Sequence, residues 1–305
     1  MKLPKSVKIV EVGPRDGFQS IKEWIPTELK LQIIDGLVKS NFKKIEITSF
    51  VHPKAIPQMS DAKEIVQTLL LKYDDKNVIF NALVPNLFGA KAAYELGIRE
   101  VTYVISASKA HNIANVKRTP KESFDGLKEL KDTYPDLKIN LAVATVFGCP
   151  YEGDIAIEQV KWMIEQGLHV GVDNFTLADT IGVANPRQMS MVLGELKKDF
   201  KDIDFALHLH DTRGMGLANV LSALQCGVRT FESALGGLGG CPFAPGAAGN
   251  IASEDLVNML DNMDIKTDIK LDKLLNTVKT VQEKIKPILT SHMAYVDSCS
   301  IGEKR

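Results

Sequence analysis

At 305 residues, with 45% hydrophobic and 25% charged side chains, the chain is long enough for one barrel-sized domain and ordinary in composition for a globular protein. The 37 basic and 38 acidic residues leave a net charge of -1, which excludes a global attraction to nucleic acid or to an anionic membrane. No apolar run approaches the ~18 residues of a membrane span. Cys149, Cys226, Cys241 and Cys299 are scattered and form no CxxC pair, which argues against a disulfide framework or a structural zinc. The N-terminal MKLPKSVKIVEVG lacks the apolar core of a secretory signal, so a reducing cytoplasm is the expected compartment.

In chain order, residues 7–12 read as a strand, followed by the turn GPRDGF, which is not a dinucleotide fingerprint. An amphipathic helix is predicted over 26–39, with Leu29, Ile33, Ile34 and Leu37 on one face, before a second strand at 44–48. Strands three to five fall at 78–84, 101–106 and 138–146; VIFNALV and VTYVIS are continuous apolar runs, as parallel strands covered on both faces require. A helix over 155–167 is expected to stop at Gly167, as others stop at Gly97 and Gly227. Ser123, Asp154 and Ser253 are candidate N-caps. Strands six to eight fall at 174–178, 204–210 and 230–235, and helices follow around 253–261 and 271–285. Eight strand–helix alternations predict a (β/α)8 TIM barrel rather than a doubly wound open sheet. The chain reads as a single domain, 1–305, with the C-terminal helices of about 253–290 packing on the barrel.

The unusual polar residues cluster where strands end. Arg15 and Asp16 follow strand one, and Glu46 and Thr48 close strand two. Asp179 and Thr180 close strand six, and His208, His210 and Asp211 close strand seven. In a barrel those points share one rim, the face that carries chemistry. His208 and His210 stand at i and i+2, so both can face the axis, and two imidazoles on one face begin a metal site. A hydrogen-bonded core pair is the plainer alternative. Asp16 is the natural third ligand from the opposite wall, although an Asp–Gly turn would also explain it. Arg15 is a fixed cation suited to an oxyanion, and Glu46, inward in an apolar strand, needs a partner such as Arg15. Residues 236–250, GGLGGCPFAPGAAGN, hold six glycines around Cys241, which suits a hinged loop delivering a thiol better than a plain linker. Cys149, Cys226 and Cys299 read as inert thiols.

The segments VEVGPRDGFQ, KIEITSFVHPKAIPQMSD, NFTLADTIGVANP, LHLHDTRG and GLGGCPFAPGAAGN closely resemble the hydroxymethylglutaryl-CoA lyase family, across nearly the whole chain. That resemblance implies cleavage of (S)-3-hydroxy-3-methylglutaryl-CoA to acetyl-CoA and acetoacetate. It implies Asp16, His208, His210 and Asn250 as ligands of Mg²⁺ or Mn²⁺, Arg15 as enolate stabiliser and Glu46 as its partner. Cys241 would be the proton donor, and Lys22, Asp179 and Thr180 would line the substrate site. Asp16 or His208 could act as the base. The neighbouring alternatives are a condensing synthase of isopropylmalate or homocitrate type and a keto-acid aldolase. The basic residues Lys109, His111, Lys117 and Arg118 after strand four are candidates for the nucleotide end of coenzyme A. The expected partners are an acyl-CoA and a second copy of the chain in a homodimer, with no nucleic acid and no membrane. No transit segment precedes the first strand, so a bacterial-type cytoplasmic form in leucine breakdown is the simplest expectation.

Overall fold

The computed structural model describes residues 3–74, 78–240 and 249–296. Among them the elements run β1 (Lys8–Glu11), α1 (Thr27–Lys39), β2 (Lys44–Ser49), α2 (Ala62–Lys72), β3 (Ile79–Leu83), α3 (Leu87–Glu95) and β4 (Glu100–Ser106). They continue with α4 (Lys109–Val116), α5 (Pro120–Thr133), β5 (Lys138–Ala144), α6 (Ile157–Val170), β6 (Asn174–Asp179), α7 (Pro186–Asp199), β7 (Phe205–Leu209), α8 (Gly216–Gln225) and β8 (Thr230–Ser233). Two further helices follow, α9 (Ser253–Asn262) and α10 (Leu271–Lys284). The strands pair in sequence order and close into a parallel barrel, so the fold is the expected TIM barrel. No helix among the described residues is long and apolar enough to cross a membrane.

The barrel forms because its strands lay apolar side chains at alternate positions against the surrounding helices, while residues between them, such as Thr102 and Asn140, join a buried polar layer. In β5, Ile139 and Leu141 are fully buried, and in β4 so are Val101 and Ile105. The helices lay their apolar stripes over that cylinder, with Ile33, Ile34 and Leu37 of α1 inaccessible. The β1–β8 pair closes the cylinder with Lys8↔Thr230, Ile9↔Phe231, Val10↔Glu232 and Glu11↔Ser233 in register. Between β2 and β3 the register shifts after Glu46, a bulge that adds one residue next to the rim.

Several local expectations change. Helix α6 does not stop at Gly167 but runs on to Val170 and ends at Gly171, in the left-handed region at φ 80°. Gly167 serves packing instead: a Cβ there would lie 2.5 Å from Cε1 of Phe175. Ser123 sits inside α5, whose true N-cap is Thr119, in a reciprocal capping box with Glu122. Ala156 and Ala252, not Asp154 and Ser253, precede α6 and α9 without a side-chain cap, because Ser253 spends its hydroxyl on buried partners. The loop after β4 contains a helix of its own, α4, that no apolar stripe signalled. Among the described residues the last α-helix ends at Lys284, and residues 285–296 run on without another.

The Gly167 contact makes a stability prediction. Gly167→Leu should lower the unfolding free energy by about 1–3 kcal/mol through overpacking against Phe175 and Leu141. Urea denaturation of the two chains measures it, and an unchanged midpoint would show that α6 can lift off the barrel at no cost.

Candidate functional site

The rim is built first at β1. After Glu11 the chain makes a single π-helical turn, Gly13–Gly17, in which the N–H groups of Arg15 and Asp16 both return to the carbonyl of Val12. Such widened turns recur at functional sites because they swing consecutive side chains to one side. Phe18, fully buried, anchors the turn beneath. Gly17 is required because a Cβ there would come within 2.7 Å of Leu238, on the loop after β8.

Arg15 is buried between two carboxylates. Its Nε donates to Glu46 and its Nη1 to Oδ1 of Asp16. Burial works against the charge on Arg15, but Glu46 and then Asp16 outweigh it and hold the guanidinium protonated. Breaking such a buried pair from one side costs about 3–5 kcal/mol, so Arg15 and Glu46 fix each other. Burial likewise opposes ionisation of Asp16, yet Arg15, His208, His210 and a hydrogen bond from Asn250 keep its carboxyl well below the usual range.

The histidines do not face Asp16 from the opposite wall, as the sequence suggested, but stand at the end of β7, with only β8 between. His208 Nδ1 donates to Oε2 of Glu232 at 2.9 Å, which fixes the tautomer and turns Nε2 inward. Burial disfavours the charged form of Glu232, but the bond from His208 holds its pKa down. Nε2 of His208 lies 3.2 Å from Nε2 of His210. Burial, then His208, lowers the His210 pKa to about 4, so it is a neutral imidazole at pH 7. One ligand atom each from Asp16, His208 and His210 lies within 4.8 Å of the others.

Asn250 joins them from the far end of the glycine-rich segment, bridged to His210 beyond the end of β7. Its Nδ2 donates to Oδ2 of Asp16 at 2.6 Å and to the carbonyl of Leu238 at 3.0 Å. Two acceptors fix which way the amide points. Its Oδ1 is therefore a buried oxygen with no partner. A carboxylate and two imidazole nitrogens, with an orphan oxygen on the amide bonded to that carboxylate, make a donor set that fits a divalent cation. Gly239, in the left-handed region at φ 122°, passes directly over it, since a Cβ there would meet Nδ2 of Asn250 at 2.6 Å.

The other sequence candidates are less central. Asp179 is buried, and it accepts from the backbone N–H groups of Val183 and Ala184, both at 3.0 Å; burial lifts its pKa to about 6 against those bonds. Thr180 Oγ1 accepts from Thr145 N, tying two rim loops together. Asp211 accepts from Gly216 N at the start of α8 and stands outside the cluster. Lys22 is exposed on the segment after the first turn. His111 is buried against Ser106, which removes it from the exposed basic set, whereas Lys109 and Lys117 are exposed. Cys241 and Cys299 lie outside the described residues; Cys149 and Cys226 are free thiols.

Reasoning from the sequence missed four polar residues. Glu232 and Asn81 sit inward on β8 and β3, and Asn81 donates to Glu46 at 3.2 Å and to Thr102 at 3.1 Å. The signal was there, since each is a polar residue in an apolar strand, as Glu46 is. Ser49, ending β2, keeps a buried hydroxyl without a partner. Glu11, fully buried, accepts from Gly13 N at 2.8 Å, Leu235 N at 3.0 Å and Ser253 Oγ at 2.6 Å, and burial pushes its pKa up to about 8.

Two outcomes follow from these contacts. Glu232→Gln frees the His208 ring, and Mn²⁺ affinity should fall about 10–100-fold by titration; unchanged affinity would remove Glu232 from the site. Glu11 binds its proton more tightly folded, at about 8, than at its ordinary 4.5, so its contribution to stability is full below 4.5 and declines as pH rises to about 8. The fall in unfolding free energy over that window should be shallower in Glu11→Gln, by denaturant titration at several pH values.

A family model described as HMGL-like matches residues 6–281. A hydroxymethylglutaryl-CoA lyase of Bacillus subtilis is 46% identical over 291 residues, covering 94% of this chain and 96% of that protein. An (R)-citramalyl-CoA lyase of Chloroflexus aurantiacus is 38% identical over 280 residues, covering 89% of this chain and 88% of that protein. Among solved structures, an HMG-CoA lyase from Acinetobacter baumannii in complex with coenzyme A and 3-methylmalate matches with a TM-score of 0.92. It is 40% identical, over 100% of this chain and 99% of that one.

Proposed function

The chain belongs to the HMGL-like family, and from that membership and its rim geometry we infer that it is a hydroxymethylglutaryl-CoA lyase. The observation that carries the reading is the convergence of Arg15, clamped by Glu46, on the cluster of Asp16, His208, His210 and the orphan Asn250 oxygen. The coenzyme A held by the Acinetobacter enzyme supports a thioester substrate here.

The reaction breaks the bond between the carbinol carbon and the carbon next to the thioester. The hydroxyl proton leaves, the carbinol carbon becomes the ketone of acetoacetate, and the bond's electron pair moves onto the thioester as an enolate. One proton added at that carbon gives acetyl-CoA. Asp16, His208, His210 and Asn250 would hold a divalent cation, with Mg²⁺ or Mn²⁺ proposed as the ion. Such a cation supplies the Lewis acidity that brings a tertiary hydroxyl within reach of a protein base near neutral pH.

Asp16 and His208 are proposed as alternative bases for the hydroxyl proton; His208 can serve only while its Nε2 is not holding the cation, because its Nδ1–H is given to Glu232. The Glu232 carboxylate behind His208 favours the imidazolium such a transfer would create. Arg15 is the fixed charge for the enolate oxygen: Glu46 holds the guanidinium in place, so little reorganisation is needed as charge develops. Cys241, which lies outside the described residues, is proposed as the proton donor to the enolate carbon, on the strength of its glycine-rich sequence context. Lys22, Asp179 and Thr180 are proposed to orient the substrate, Lys22 through its charge and the other two through the loops they brace. We further propose that the chain acts as one catalytic unit, as a homodimer in the cytoplasm.

Incubated with (S)-3-hydroxy-3-methylglutaryl-CoA and Mg²⁺, the protein should release acetoacetate and acetyl-CoA in equal amounts. (R)-citramalyl-CoA, tested alongside, should turn over more slowly. A preference for citramalyl-CoA would move the chain to that specificity, and condensation of acetyl-CoA with a keto acid in place of cleavage would overturn the lyase reading. Cys241→Ala should lose about 10²–10⁴-fold in kcat, as expected for a general acid, while Mn²⁺ titration stays at the parental value.

A further inference from the structure

Away from the cation cluster, the segment between the first turn and α1 has no regular structure of its own, yet it is held at three alternate backbone positions by one side chain. Gln58 Nε2 donates to the carbonyl of Ile21 at 3.0 Å and to that of Glu23, and its Oε1 accepts from the N–H of Ile25 at 3.3 Å. Its amide thus does the work of a neighbouring strand, meeting backbone groups at i, i+2 and i+4. Gln58 is buried at 4% exposure, and Ile25, at the end of the grip, is buried at 2%. Lys22 and Trp24, between the gripped positions, are exposed.

Gln58 is itself held. Nζ of Lys30, from α1, donates to the Gln58 carbonyl and to both oxygens of Asp61, at 3.0 and 2.9 Å. Thr27 donates to the same carboxylate at 3.0 Å, and the ammonium lies 4.1 Å from the centroid of the Trp24 ring. Lys30 is only 2% exposed. Burying an ammonium costs free energy that a pair only partly returns, and a Leu in its place would pack on the same helix without that cost. What the charged network adds is directionality: it fixes the short helical turn Pro57–Met59, and through it the amide that reads residues 21–25.

We propose that Gln58, braced by Lys30 and Asp61, is a positioning residue that sets the place of Lys22 relative to the rim, so that Lys22 meets the acyl-CoA. This rests on the substrate-binding role proposed above for Lys22. Gln58 touches no group of the cation cluster, so its effect falls on substrate binding and not on metal binding.

The experiment is a cycle of Gln58→Leu, Lys22→Ala and the double variant, each assayed for KM and kcat with hydroxymethylglutaryl-CoA and titrated with Mn²⁺. Hydrogen exchange of the peptide spanning residues 19–27 reports on the segment directly. Gln58→Leu should accelerate that exchange and raise KM about tenfold, the scale of a small misplacement of one contact, with parental Mn²⁺ affinity. The double variant should be no worse than Lys22→Ala alone. If Gln58→Leu unfolds, Gln58→Asn, whose shorter amide cannot span three positions, takes its place. A parental KM in Lys22→Ala overturns the role of Lys22 and this proposal with it. A raised KM in Lys22→Ala beside a parental KM in Gln58→Leu overturns the positioning role alone, as do effects that multiply in the double variant.

Discussion

The site depends on the seam where β1 meets β8. The barrel is a closed sheet, and every strand-end group is placed only to the accuracy with which that last pairing is in register. Glu11 sits at the seam as a buried carboxylate that accepts from three donors. One is on the turn carrying Arg15 and Asp16, one on the loop after β8, and one three residues beyond Asn250. Each segment it holds delivers a cluster residue or a glycine pressed against one. A neighbouring carboxylate, Glu254, accepts from Gly236 N with both oxygens, and burial brings it to about 7. Two neighbouring acids would repel if both were ionised, so the protonated form of at least one is favoured in the fold.

Above the seam the charges are arranged as alternating neighbours. Glu46, Arg15, Asp16, the imidazole pair and Glu232 follow one arc of the wall, from β2 through β1 and β8 to β7, with each charged group beside an opposite or neutral one. Behind them lies a polar layer contributed by successive strands: Asn81 and Thr102 support Glu46, and Asn140 and Thr176 support Glu232, with Thr176 donating to it at 3.0 Å. The layer uses hydrogen bonds rather than solvent to stabilise buried carboxylates. It also lets the imidazoles and the guanidinium keep one orientation, as electrostatic catalysis requires.

Periodicity carried the eight strands and most helices, because parallel strands covered on both faces leave continuous apolar runs that cannot be mistaken for loops. The rim residues were legible for a related reason: a polar group at the end of an apolar strand has one face to occupy. Boundaries set by tertiary contact were not legible. Gly167 looks like a stop in one dimension and is a packing notch against Phe175 in three. Ser253 looks like a cap and is instead a donor to Glu11. Glu232 obeys the same rule as Glu46, but its partner, His208, lies in another strand 24 residues away, and nothing local in the sequence pairs the two. The same shortfall hid Gln58, whose targets are backbone groups with no side-chain signature at all.

Asn250 shows what the closed topology adds to those local rules. Its amide is turned by Asp16 on one side of the seam and by the Leu238 carbonyl on the other, and Leu238 packs where Gly17 has no side chain. The amide therefore takes this orientation only when the β1 turn, the start of the glycine-rich segment and its end are all in place. The backbones of Gly239 and Gly249 approach so closely that a Cβ on Gly249 would come within 2.5 Å of its neighbour. Gly239 and Gly249 are thus held together beside Asp16 and Asn250. Their close approach makes the placement of the Asn250 amide and of the β1 turn consequences of one pinch.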